Sequence, residues 1–325
     1  MIKSAIFNNQ VKFYDGDIME YVYALGRRKK IAEITDLYPQ VITSANFAEH
    51  AGRLKDVQVI FSTWGMPPLD KEQIRQLPSL KAVFYAAGSA KGFAKPFMDS
   101  GVKVSSAWLA NAIPVAEFCL GQILLASKGY FRNMADCRDP AKNNQKTAFT
   151  GKGMFDIEIA LIGAGAISEK LQELLKTFAV KVSVVPSRKE RRTISLEEAF
   201  EKSYIVSNHL PDRDDNKGVL NYDLFRRMPH GATFINTGRG AQVNEDDLVK
   251  VLRERPDLTA LLDVTYPEPA LPDSEFYKLP NVHISTHIGG SVNNEVVRMA
   301  DYMIDEFQRW EKDLALKYEV TPENL

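Results

Sequence analysis

Short apolar runs rich in β-branched and aromatic residues recur along this chain, each closing on small residues or glycine. Val57–Thr63 (VQVIFST) and Lys81–Ala87 (KAVFYAA) are two of them, and their length and composition predict buried parallel strands. The signature returns at Ile159–Ile162, Val180–Val185, Tyr204–Ser207, Thr233–Asn236, Ala260–Val264 and Val282–Ser285. Helical spacing alternates with these strands. Leu171, Leu174, Leu175 and Phe178 make an i, i+3, i+4, i+7 stripe, and Ser195 with Glu198 forms a capping box opening a short helix. Asn244 ahead of Glu245, Asp246 and Asp247 is an N-cap whose carboxylates complement the helix dipole before the apolar face of Leu248, Val251 and Leu252. Such alternation predicts an α/β fold on a doubly wound parallel sheet. The polar stretch from Lys128 to Gly153, with Pro140 and no sustained period, reads as a separator between two regions.

A chain of 325 residues exceeds the usual size of one compact domain, so two domains sharing a cleft are expected. With 41 basic against 42 acidic side chains and a pI near 6.6, nothing points to nucleic acid or an anionic membrane surface as partner. A small molecule fits better. The N-terminus lacks the apolar run and cleavage site of a signal peptide, and no stretch reads as the eighteen or so apolar residues of a spanning helix, so the expectation is a cytoplasmic protein. Cys119 and Cys137 are too few for a disulfide framework or a zinc site, and no metal is expected.

Ile159-Ala-Leu-Ile-Gly163-Ala-Gly165-Ala166-Ile167-Ser168 runs from a hydrophobic strand through Gly-x-Gly-x-x-Ser into a helix beginning near Glu169. In that context Gly163 permits the tight turn and Gly165 lets the backbone approach a pyrophosphate at the helix N-terminus. The third glycine has become Ser168, still small. Sites selective for NAD usually carry an acid at the end of the second strand. Here Val185 runs instead into Pro186, Ser187, Arg188 and Lys189, a hydroxyl and two cations suited to a 2′-phosphate, which favours NADP over NAD.

Three further segments follow strands of the same predicted sheet: Asn236-Thr237-Gly238-Arg239-Gly240, Asp263-Val-Thr-Tyr-Pro-Glu268-Pro269, and Thr286-His287-Ile-Gly289-Gly290. One Arg, one Glu and one His are what carbonyl reduction requires. Charge developing on the oxygen needs a proton donor poised near neutral pH, and the substrate's acid group needs a cation. His287 would donate the proton, Glu268 would orient the imidazolium, and Arg239 would hold the carboxylate and carbonyl oxygens. Taken singly, each has a duller reading: a surface ion-pair partner, a solvated loop acid and a helix-capping histidine. His50, His230 and His283 sit in no such setting and read as structural or solvated.

Over nearly its whole length the sequence resembles the D-isomer-specific 2-hydroxyacid dehydrogenases. The likeness lies in GAGAIS from Gly163, His209-Leu-Pro211, INTGRG from Ile235 with the following VNEDDL, LLDVTYPEP from Leu261, and STHIGGS from Ser285. It implies NAD(P)-dependent interconversion of a small 2-keto acid and its D-2-hydroxy acid, with Arg239, Glu268 and His287 as the family's catalytic residues. It also implies a Rossmann-type cofactor domain (110–289) and a smaller flavodoxin-like substrate domain (1–109 and 290–325), with a cleft between them. Cofactor contacts would come from Gly163, Gly165, Ala166, Ile167, Ser187, Arg188, His209, Pro211, Thr237, Gly238, Asp263, His287 and Gly289, with Asp263 accepting from the nicotinamide amide. Substrate loops would be Ser62–Gly65, including Trp64, and Ala86–Ser89, whose Ala87, Gly88 and Ser89 N–H groups would receive the carboxylate. Ala110-Asn111 through Glu117 resembles the family's hinge and connecting helix, and the region after it usually builds a homodimer.

Asp212-Arg213-Asp214, where a Thr commonly follows the Leu-Pro, departs from the family pattern, and Arg213 is a candidate phosphate contact. The rival readings are a nucleotide-sensing, corepressor-like protein, disfavoured by the intact Arg, Glu and His, and a formate- or phosphite-oxidising enzyme. The formate branch places Gln where Glu268 stands.

Overall fold

A computed structural model describes residues 1–13 and 16–322. The chain divides into two compact units, Met1–Ala112 with Ser291–Leu325, and Ile113–Gly290.

The first unit holds β1 (Lys3–Ile6), a two-stranded pair of β2 (Lys12–Phe13) and β3 (Gly16–Asp17), then β4 (Asp36–Leu37), β5 (Val59–Ser62), β6 (Ala82–Tyr85) and β7 (Lys103–Ser106). Among the described residues a parallel sheet runs β4-β1-β5-β6-β7. Successive side chains alternate between its faces: Ala5, Phe7, Ile60, Val83 and Tyr85 enter one apolar cluster. Ile6, Val59, Phe61, Ala82 and Phe84 enter the other, against Met299, Met303, Ile304 and Phe307 of the helix Val297–Glu311. Both faces are covered, so these strands read as continuous apolar runs. The strand β7 (KVSS) escaped the apolar pattern because its buried positions Ser105 and Ser106 are polar. Ser105 Oγ donates to the carboxylate of Glu306, itself fully buried on that helix, and Glu306 also receives the N–H groups of Lys317 and Tyr318. Those bonds satisfy a group that hydropathy alone would keep outside.

In the second unit β8 (Phe155–Ile162), β9 (Ala179–Val185), β10 (Ile205–Asn208), β11 (Thr233–Asn236), β12 (Thr259–Leu262) and β13 (Val282–Ile284) follow the expected strands closely. Among the described residues they form a parallel sheet ordered β13-β12-β11-β10-β8-β9. The chain goes from β8 out to β9 on one side and resumes at β10 on the other. That reversal opens a crevice at the carboxyl ends of the strands. Leu171 and Leu175 of the helix Ala166–Leu175 are buried, and Leu174 and Phe178 pack beside them on the same core.

Asn244 caps the helix Glu245–Glu254 by accepting from Asp247 N, and Leu248, Val251 and Leu252 are buried as their spacing predicts. At the helix Leu196–Lys202, Ser195 Oγ accepts from Glu198 N, while the Glu198 carboxylate pairs with Lys202 at 2.7 Å. Two expectations change. The segment from Lys128 to Gly153 lies inside the second unit and carries a helix, Tyr130–Asp136. The helix Trp108–Ser127 is also longer and more apolar than expected: 20 residues with a mean hydropathy of 1.6 in its best window. One face of it packs inward, with Ala116, Cys119, Ile123 and Ala126 in the core of the second unit, while Leu125 on another face is exposed.

Candidate active site

The carboxyl ends of the second unit's six strands gather every cofactor and catalytic position the sequence singled out. Gly163 ends β8 with φ +112°, and a Cβ there would lie 2.4 Å from the His209 carbonyl oxygen that follows β10. Only glycine fits both the turn and that approach. Ser168, in place of a third glycine, is buried and donates its hydroxyl to Gly163 O at 2.7 Å, so the substitution ties the helix to the turn. Gly165 is exposed, and a Cβ would meet nothing within 4 Å. Nothing inside the chain demands glycine at that point. Ala166 and Ile167 open the helix behind it.

After β12 and β13, Glu268 and His287 come together, with His287 Nδ1 2.6 Å from Glu268 Oε1. The two side chains are 47% and 39% exposed, so in solvent the pair is worth only about 1 kcal/mol or less to stability. Its consequence is orientation: Nδ1 faces the carboxylate and leaves Nε2 as the outward ring atom. His287 has φ +56°, a left-handed conformation uncommon for a residue with a Cβ. The strand-end carboxylate of Asp263, 3% exposed, holds it there. Oδ1 accepts from Ser285 Oγ (2.6 Å) and Ile288 N (2.9 Å), Oδ2 accepts from Gly289 N (2.8 Å), and His287 N donates to Asp263 O (3.0 Å). Asp263, expected as a nicotinamide acceptor, is thus engaged inside the protein as the anchor of the His287 loop.

Arg239 follows the end of β11 with its side chain 41% exposed, its guanidinium donating to Gly238 O at 2.7 Å and lying 3.9 Å from Asp212. The reason for the next residue is steric. A Cβ on Gly240 would sit 2.0 Å from the carbonyl carbon of Thr265, so the loop bearing Arg239 presses directly on the loop leading to Glu268. Behind them is a buried amide network. Asn208 Nδ2 donates to Asn236 Oδ1 (2.9 Å) and Gln242 Oε1 (2.7 Å), and Gln242 Nε2 donates to the carbonyls of Leu210 and Pro211. Neither Asn208 nor Gln242 was singled out from the sequence. Asn208 ends β10 beside Asn236 at the end of β11, and Gln242 reaches them from the 3-10 turn Gly240–Gln242, a grouping legible only once the strands are paired.

His209 is buried, with Nδ1 3.2 Å from Thr237 Oγ1, which lies 3.3 Å from Cys119 Sγ. Burial pushes the His209 imidazole down to about 3 and the Cys119 thiol up to about 12, so both are neutral at physiological pH. Arg213 is spoken for: its guanidinium meets Asp215 side-on with two contacts of 2.9 Å. His50 is buried against the Tyr38 hydroxyl, and His230 lies 3.1 Å from Asp257.

In the first unit, Trp64 is half-buried, packs on both apolar clusters, and accepts at its carbonyl from Asn8 Nδ2. Gly65 has φ +92°. Gly88 is half-buried and Ser89 exposed. Ala87 N, expected to receive a carboxylate, instead donates to Tyr85 O at 2.9 Å.

The sequence profile of the NAD-binding domain of D-isomer-specific 2-hydroxyacid dehydrogenases matches residues 120–289, the stretch that carries all three strand-end motifs. The chain belongs to that family. A Bacillus subtilis protein named as a 2-hydroxyacid dehydrogenase is 30% identical over 195 residues, 56% of each chain, so this chain spans about half that relative's length. Glyoxylate reductase of Korarchaeum cryptofilum is 26% identical over 287 residues, 84% of this chain and 83% of the other. In fold, the chain is similar to D-mandelate dehydrogenase of Rhodotorula graminis, with a TM-score of 0.78 at 20% identity over 98% of this chain and 97% of that one.

The dehydrogenase family implies a dinucleotide, and the residues present fit one. The exposed Gly165, free of any internal steric demand, leaves room for pyrophosphate oxygens at the start of the helix Ala166–Leu175. Ser187 and Arg188 stand at the end of β9, half-buried and exposed respectively.

Proposed function

We propose that this chain is a cytoplasmic, homodimeric NAD(P)-dependent reductase of small 2-keto acids, working reversibly on the D-2-hydroxy acids, with NADPH preferred. The observation that carries this reading is the 2.6 Å His287–Glu268 contact at the strand ends of a dinucleotide-binding sheet. Bound coenzyme supplies the hydride for the keto carbon. His287 holds a proton at Nε2 and gives it to the carbonyl oxygen as negative charge develops there. Glu268 keeps the ring turned through its contact with Nδ1. Arg239 binds the substrate's carboxylate, exchanging its contact with Gly238 O for a charge-assisted fork. This reading also assigns Trp64–Gly65 and Ala87–Ser89 to substrate binding. Gly163, Gly165, Ala166, Ile167, Thr237, Gly238, His209, Pro211 and Gly289 hold the dinucleotide, with Ser187 and Arg188 on the adenosine 2′-phosphate.

The test is reduced-nicotinamide oxidation with glyoxylate, hydroxypyruvate, pyruvate and bulkier 2-keto acids, in wild type and His287→Gln. General acid catalysis contributes about 10²–10⁴-fold, so kcat should fall by about that factor while coenzyme affinity stays within twofold. A variant that turns over at the wild-type rate would remove His287 from the chemistry.

A further inference from the structure

The turn after β9 is fastened by a residue outside the motif. The chain runs from β9 through Pro186, Ser187 and Arg188 into the 3-10 turn Lys189–Arg191, and Arg192 folds back over it. Arg192 Nε donates to Pro186 O at 2.8 Å and Nη2 donates to Ser187 O at 2.9 Å. Two consecutive carbonyl groups are thereby consumed by one half-buried guanidinium. Elsewhere in this fold a carboxylate at the end of this strand accepts from the ribose hydroxyl of NAD. Here no acid follows β9 before Glu190, and the carbonyl oxygens nearest the strand end are already taken by Arg192.

What the turn still offers is a hydroxyl on Ser187 and the cation of Arg188. Asp215, whose field includes Arg188, is itself paired with Arg213, and that pairing is the main reason its carboxyl is held low. From Arg188 to Arg192 the chain carries four cations against the single acid Glu190, so the local balance favours an anion.

We propose that Arg192 is a positioning residue for coenzyme selection. By holding the carbonyls of Pro186 and Ser187 it makes this turn poor in acceptors and rich in positive charge, a seat for a ribose 2′-phosphate and a poor one for a free 2′-hydroxyl. The inference rests on the NADPH reading given above, and adds the residue that enforces it. Fixing the turn through Arg192 also sets where Ser187 and Arg188 present their donors, which matters because a charge-assisted contact is strongly dependent on geometry.

The experiment is calorimetric titration of the full-length, coenzyme-free protein with adenosine 2′,5′-bisphosphate and, separately, with 5′-AMP. Wild type, Arg192→Met, Arg192→Lys and Arg188→Ala are compared, with melting temperatures recorded for each. Wild type should bind the bisphosphate more tightly than AMP. Arg192→Met should lose about tenfold of that preference, the size of one charge-assisted contact, with AMP binding within twofold. Arg192→Lys, which can hold one carbonyl, should recover part of the loss. If Arg188→Ala loses the preference and Arg192→Met keeps it, the role of Arg192 is refuted while the NADPH reading stands. Equal loss of both ligands in Arg192→Met would make the residue a general scaffold and overturn selection. Equal binding of both ligands by wild type would overturn the NADPH reading and this inference with it.

Discussion

Replacing Gly240 by alanine isolates the packing that sets Arg239 against Glu268. The added Cβ would stand 2.0 Å from Thr265 C and 2.1 Å from Thr265 O, both backbone atoms that no rotamer change can move aside. Reaching the 3.0 Å floor of real Cβ contacts from 2.0 Å requires the two loops to separate by at least about 1 Å. Overpacking of this kind costs about 1–3 kcal/mol. A 1 Å misplacement of catalytic groups lowers turnover by about 100-fold. The dinucleotide turn after β8 is not displaced, but Thr237 and Gly238 stand on the loop that moves, so coenzyme affinity should fall far less than kcat. Steady-state kinetics on the best keto acid, coenzyme titration by nicotinamide fluorescence and a melting curve separate these effects. Gly240→Ala that melts normally and keeps kcat within twofold would refute the argument that the close approach of these loops sets the catalytic geometry.

Two further perturbations test the groups behind the site. Asp263→Ala leaves Ser285 Oγ, Ile288 N and Gly289 N without their acceptor. At about 1–3 kcal/mol per buried orphan, less where water enters, urea unfolding should show a loss of about 3 kcal/mol, with Asp263→Asn losing less. His209 titrates near 3 when folded because burial disfavours its charge, whereas in the unfolded chain it titrates near 6.5. Between those values the unfolded state binds the extra proton, so stability falls as pH drops below about 6.5, by up to about 1.4 kcal/mol per unit. His209→Leu should flatten that part of the acid limb in urea titrations at pH 7 and pH 5. An unchanged slope would mean His209 is not held neutral.

Much of the second unit was legible in the sequence because a parallel strand buried on both faces must be apolar throughout, and a strand followed by Gly-x-Gly has few other uses. Arg239, Glu268 and His287 were legible for a related reason: each follows such a strand, and strand ends of one parallel sheet lie side by side. Hydropathy misses β7, whose polar serines are buried against Glu306, because the compensating carboxylate lies 201 residues away. It could not assign Asp263 to the His287 loop, since two of the three donors its carboxylate satisfies are backbone N–H groups that every sequence possesses. Along the chain Arg213 read as an available cation, while Arg192 carried no signal at all. Tertiary structure commits the first to Asp215 and the second to the carbonyls of Pro186 and Ser187. By itself the sequence determined which residue types stand at the ends of the strands, because strand periodicity and turn chemistry are local. Which of them are free to meet a ligand, and which are already occupied, was decided only by the tertiary structure, because a hydrogen bond depends on distance in space and not along the chain.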